Sequence, residues 1–158
     1  MALSMSIWIF LMITAIAICG SLRLVVAPKN SKERRSTLAR AAKMGLFLFA
    51  FDFVFENLGL VLGYWNTSGS VFQAGAVPVE VMVIAATAGY AYAMIFPRRF
   101  GWEMGFFTSL LIAAAGTAIE AMLNSFGVLA YTGGWTSMHA LVAYFGTFFL
   151  MHRLNSML

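Results

Sequence analysis

The chain reads as an all-α, polytopic membrane helix bundle, and three observations predict it. Hydrophobic residues fill 61% of its 158 positions and charged ones only 10%, against about a quarter charged in an ordinary soluble domain. Mean hydropathy is +0.85. The charges are also bunched: seven lie between Pro28 and Lys43, and long apolar runs occupy most of the remainder.

A bilayer-crossing helix needs roughly 20 apolar residues. Five stretches approach that length: Met5 to Ala27, Met44 to Tyr64, Pro78 to Phe96, Gly105 to Phe126 and Trp135 to Met151. The connections Pro28 to Lys43, Trp65 to Val77, Pro97 to Met104 and Gly127 to Gly134 are too short for a separate soluble domain, so one transmembrane domain over residues 1–158 is expected. The first stretch has no preceding Lys or Arg and no small-residue cleavage pattern after it, so it is read as a retained helix and not a signal peptide.

Lys and Arg collect on cytoplasmic loops. Here Arg23, Lys29, Lys32, Arg34, Arg35, Arg40 and Lys43 follow the first span, Arg98 and Arg99 the third, and Arg153 the fifth. All ten fall on one side, which predicts an outside N-terminus and a cytoplasmic C-terminus. The sequence pI of 9.6 is therefore a topology signal and not a nucleic-acid footprint. The basic loop is also suited to anionic lipid headgroups, each Lys or Arg near such a surface contributing about 1 kcal/mol. Cys19, the single cysteine, lies in an apolar run and is read as a packing residue.

Polar residues inside the spans are the candidates for function, because a charge at the centre of a membrane helix costs roughly 2.5 to 3.5 kcal/mol on insertion scales. These are Asp52, Glu56, Glu80, Glu120, Asn124 and His139. Helical spacing puts Glu56, Glu80, Glu120 and His139 in the outer half of the membrane on four helices, with Asp52 nearer mid-depth. Asp52 and Glu56 are four apart and share a face; Gly59 and Gly63 lie near it, a spacing that favours close helix contact. Glu120 and Asn124 repeat the arrangement, with Gly116 one turn earlier. Glu80 follows Pro78 at a helix start, where a carboxylate also meets unpaired N–H groups. Glu103, beside Arg98 and Arg99, is read as a solvated first-turn acid. Tyr64, Trp65, Tyr131 and Trp135 stand where an interfacial aromatic belt belongs, and aromatic faces also attract positive charge.

One histidine among carboxylates, without an i, i+3 or i, i+4 His/Glu pair, gives little basis for a metal site. No phosphate loop, dinucleotide fingerprint, Ser/His/Asp order or CxxC occurs, and no cofactor is expected.

The stretch Phe51 to Met82, FDFVFENLGLVLGYWNTSGSVFQAGAVPVEVM, resembles the integral-membrane carotenoid-biosynthesis families, namely the lycopene-cyclase domain proteins of bacteria and archaea and the carotenoid hydratases. The likeness rests on acids in a helix (Asp52, Glu56), a following Gly59, then Gly63, Tyr64 and Trp65, a short loop, and Gly75, Pro78 and Glu80 opening the next helix. The cyclase pattern has a second acid where this chain has Val81. Ala118 to Ala143 carries a fainter echo in Glu120, Asn124, Gly127, Tyr131, Gly134, Trp135 and His139, as a duplicated architecture would.

The resemblance implies acid-catalysed cyclisation or hydration of an isoprenoid end group in a bacterial or archaeal plasma membrane. A carboxyl in a low-dielectric site can keep its proton near neutral pH and act as the acid. On that reading Glu56 and Glu80 are acid and counter-charge, Asp52 an orienting or second acid, and Glu120 or His139 the proton acceptor. Tyr64, Trp65, Asn124 and Trp135 contact the substrate. The expected partners are membrane lipids, an apolar isoprenoid and further membrane subunits. The alternative, of a different class, is a non-catalytic small subunit of a larger membrane complex whose acids form interhelical hydrogen bonds.

Overall fold

A computed structural model describes residues 2–158. The order is α1 (Ala2–Val25), α2 (Ser31–Val61), β1 (Trp65–Thr67), β2 (Gln73–Ala74), β3 (Val77–Pro78), α3 (Val79–Ile95), α4 (Trp102–Ser125), β4 (Leu129–Tyr131) and α5 (Ser137–Met157). The all-α expectation holds, with a small cap of strands at one end. Among the described residues three helices are long and apolar enough to cross a membrane: the first from Ile7 to Val25, α2 and α4. The apolar α3 is shorter, at 17 residues.

Helix α2 begins earlier than its apolar run. The loop expected from Pro28 to Lys43 is mostly helix, because the Asn30 side chain accepts from the Lys32 and Glu33 amides at 3.0 and 3.3 Å and caps α2. Its basic residues other than Lys29 therefore ride on the first turns of a 31-residue helix, about 46 Å long at 1.5 Å per residue.

The helices form two groups. Helix α3 packs along α2 on one side and α1 on the other, while α4 and α5 form a separate hairpin. Gly89 lets α2 and α3 approach closely: a Cβ there would stand 2.5 Å from the Met44 carbonyl. Gly116 seats the Tyr144 ring between α4 and α5, with only 3.1 Å to spare for a Cβ.

The connections Trp65 to Val77 and Gly127 to Gly134, which the charge rule puts on the outer side, contain strands, and β1 and β4 tie the two groups together. Strand β1 pairs antiparallel with β4 in the register Trp65↔Tyr131, Asn66↔Ala130, Thr67↔Leu129. Each is reached the same way. Gly63 and Gly127, at φ +70° and +69°, end α2 and α4 in the left-handed conformation that favours glycine. The next amides, Tyr64 and Val128, bond back to the Gly59 and Leu123 carbonyls. Glu56 and Glu120 each lie seven residues before these glycines, so α2–β1 and α4–β4 are structural counterparts. Gly63 thus makes a turn, and Gly59 lies under the Trp65 indole, where a Cβ would overlap the ring. Neither forms the helix–helix contact that their spacing predicts.

Two cores result. At the strand end Trp8, Trp65, Leu123, Val128 and Leu129 cluster. At the basic end the core is Ala41, Met44, Leu48, Tyr92, Ala93, Met94, Phe148 and Met151. A polar latch closes the basic end: the Tyr92 hydroxyl lies 2.9 Å from His152 Nδ1, Gly101 N–H reaches His152 Nε2, and Asn155 bonds both Arg40 and the Pro97 carbonyl. Arg40, read from sequence as a loop charge, is buried there. Helix α1 leaves Phe10, Ile13, Ile16 and Leu24 exposed, an apolar surface that water would not tolerate cheaply.

Candidate functional site: an acid-lined aromatic cleft

Between the two helix groups, with a core at either end, lies a cleft of about 170 Å³. Helix α2 lines it with Leu48, Phe51, Asp52, Phe55 and Glu56, positions that recur every three or four residues and so share one face. Helix α3 contributes Val81, Ile84, Ala85 and Ala88, and α5 contributes Ala140, Ala143, Tyr144, Thr147 and Phe148. From α4 comes Glu120. Trp65, Leu129, Tyr131 and Trp135 close the strand end.

The three acids are held differently. Glu56 accepts from Trp65 Nε1 at 2.8 Å. Glu120 accepts from two phenols, Tyr144 at 2.7 Å and Tyr131 in a very short bond. The donors to Glu56 and Glu120 on the strands, Trp65 and Tyr131, are register partners, so one pair of strand residues fixes both counterpart acids. Burial, together with the Glu120 carboxylate it donates to, pushes the Tyr131 phenol up from its ordinary value. Asp52 has no such support: among the described residues no donor reaches its buried Oδ2.

The aromatic wall is continuous. Phe47, Phe51 and Phe55 stack along α2 at centroid spacings of 6.0 and 6.2 Å. Phe55 lies 5.5 Å from Trp65, and Trp65 lies 4.8 Å edge-on from Trp135. Tyr64 stands behind this wall, 5.5 Å from Trp135.

Of the sequence candidates, Asp52, Glu56, Glu120, Trp65 and Trp135 meet in the cleft. Glu80, His139, Tyr64 and Asn124 are not among its lining residues. Glu80 is fully buried but turned into the loop before its helix, where the Ser70 hydroxyl and the Val71 and Phe72 amides donate to it at 2.7, 2.7 and 3.2 Å. His139 is exposed on the first turn of α5, 2.8 Å from the Thr136 hydroxyl. Asn124 is exposed near the end of α4. Among the described residues no group of three or more His, Cys, Asp or Glu is placed to hold a metal ion.

Sequence reasoning missed Tyr144. The available signal was a phenol midway along an apolar helix, since a buried Tyr hydroxyl usually requires a partner, and the nearby helix supplies Glu120. No protein-family model matches the chain, and no curated protein or solved structure matches it either.

Proposed function

We propose that this protein is a multi-pass plasma-membrane protein of a bacterium or archaeon that binds an isoprenoid or carotenoid end group and isomerises or hydrates it by acid catalysis, in the manner of lycopene cyclases and carotenoid hydratases. The proposed topology has five spans, α1 to α5, with the N-terminus outside and the strand end extracytoplasmic. Its support is that every Lys and Arg gathers at the opposite end.

The observation that carries the reading is the one cleft shared by Asp52, Glu56 and Glu120 within an otherwise apolar and aromatic wall. Apolar walls suit a hydrocarbon end group, ring faces favour a developing cation, and carboxyl groups supply both the proton and the counter-charge. Asp52, whose Oδ2 lacks a donor among the described residues, is assigned the proton transfer. Its proton forms a new C–H bond at the terminal double bond and leaves a tertiary cation, which closes a ring or captures water. Loss of a proton to the Asp52 carboxylate restores the acid. Glu56 and Glu120, fixed by Trp65, Tyr131 and Tyr144, face the cation. These assignments give the acid role to Asp52, expected from sequence as an orienting or second acid, and replace the expected pair Glu56 and Glu80 with Glu56 and Glu120.

The test is pigment analysis of a lycopene-accumulating host expressing the chain. A cyclised or hydrated product is expected from the wild type and its loss from Asp52→Asn and Glu120→Gln; unchanged lycopene in the wild type contradicts the reading. A second reading, a non-catalytic subunit, is favoured by the saturated bonding of Glu120. Mild-detergent purification that yields a stoichiometric unrelated partner would support it.

A further inference from the structure

The same cleft has an electrostatic property that does not depend on any reaction. Asp52, Glu56 and Glu120 line it, and among the described residues no Lys, Arg or His does. The donors that reach these acids are neutral: an indole N–H and two phenols. Asp52 Oδ2 has none among the described residues. Glu56 and Glu120, which accept from these neutral donors, are the counter-charges, and low-dielectric walls focus the field of an anion on a charge of opposite sign. The walls add Phe55, Trp65 and Trp135, whose ring faces favour cations, Trp most strongly. Small apolar side chains on the facing helices, Ala85, Ala88, Ala140 and Ala143, leave room for an apolar body and offer no polar atoms to a hydrated metal ion.

We propose that this cleft is a binding site for lipophilic cations, meaning quaternary ammonium or phosphonium groups carrying an apolar body, with the charge beside Glu56, Glu120 and the aromatic wall. The site is the one assigned above to isoprenoid chemistry. The inference rests on that reading only for the location of the ligand, because binding of a stable cation requires no turnover. An ammonium group with an alkyl chain matches it better than a small inorganic cation, which would have to shed its water against hydrocarbon.

The test is scintillation-proximity binding of tritiated tetraphenylphosphonium to the purified full chain in nanodiscs of zwitterionic lipid. Saturable binding is expected, displaced by dodecyltrimethylammonium but not by its neutral carbon isostere 2,2-dimethyltetradecane. Affinity should fall about tenfold or more in Glu120→Gln and Trp135→Leu. It should be unchanged in Glu103→Gln, an exposed acid on the first turn of α4. Non-saturable binding, or displacement by the neutral isostere equal to that by the ammonium, overturns the proposal even if the variants fail to fold. Cation binding without any pigment product removes the reaction and leaves this inference standing. Pigment conversion without cation binding does the reverse.

Discussion

The loop that receives Glu80 and the cleft that receives Asp52 treat a buried carboxyl in opposite ways. In the loop, three donors from consecutive residues, Ser70, Val71 and Phe72, converge on one acid that is fully enclosed. In the cleft, Asp52 is a lining residue whose buried Oδ2 has no donor among the described residues. A saturated buried carboxylate holds backbone in place, whereas an unsaturated one beside a cavity is available to something that enters. Removing the first leaves orphaned donors; removing the second removes an unpaired polar group.

The comparison can be broken most forcefully at Glu80. Glu80→Ala strands the Val71 and Phe72 amides, while the Ser70 hydroxyl keeps the Phe72 carbonyl at 2.7 Å as an acceptor, and we expect a loss of about 3 kcal/mol, read as a lower thermal midpoint in detergent. Gly59→Leu should follow at about 2 kcal/mol, because any side chain there overlaps the Trp65 indole; displacement of that indole from Glu56 is read from tryptophan fluorescence. Tyr144→Phe removes one of two donors to Glu120 and should cost about 1 kcal/mol. Asp52→Leu should change stability by less than about 1 kcal/mol or raise it; a cost equal to that of Glu80→Ala would erase the distinction between the two regions.

The smallest expected effect concerns pH. The Tyr131 phenol is pushed above its ordinary value by burial and by Glu120. Its neutral form is therefore favoured in the folded state, and the corresponding stability is complete below about pH 10, the usual phenol value, and is lost as pH rises beyond it. Thermal midpoints across that range should fall more steeply for the wild type than for Tyr131→Phe.

The helices were legible because long apolar runs have few alternatives in a chain this poor in charge. Helix α2 overran its apolar stretch because capping by Asn30 is a local signal that hydropathy ignores. The strands were not legible: β1 and β4 have three residues each, and their pairing depends on two helices ending in register, a long-range fact. For the acids, helical spacing correctly placed Asp52 and Glu56 on one face, and depth brought Glu120 to the same level. Depth alone also recruited Glu80 and His139, since it says nothing of direction around a helix axis or of which loop residues stand ready as donors. Tyr144 was overlooked because a single phenol in an apolar run has no spacing to mark it.

The central claim is that acids from separate helices meet in one cleft while Glu80 lies apart. It is tested most directly by crosslinking in a Cys19→Ala background. A short bifunctional methanethiosulfonate reagent should link Glu56→Cys to Glu120→Cys within a single chain and leave Glu80→Cys with Glu120→Cys unlinked. Failure of the first pair to link, or equal linking of the second, would contradict the account.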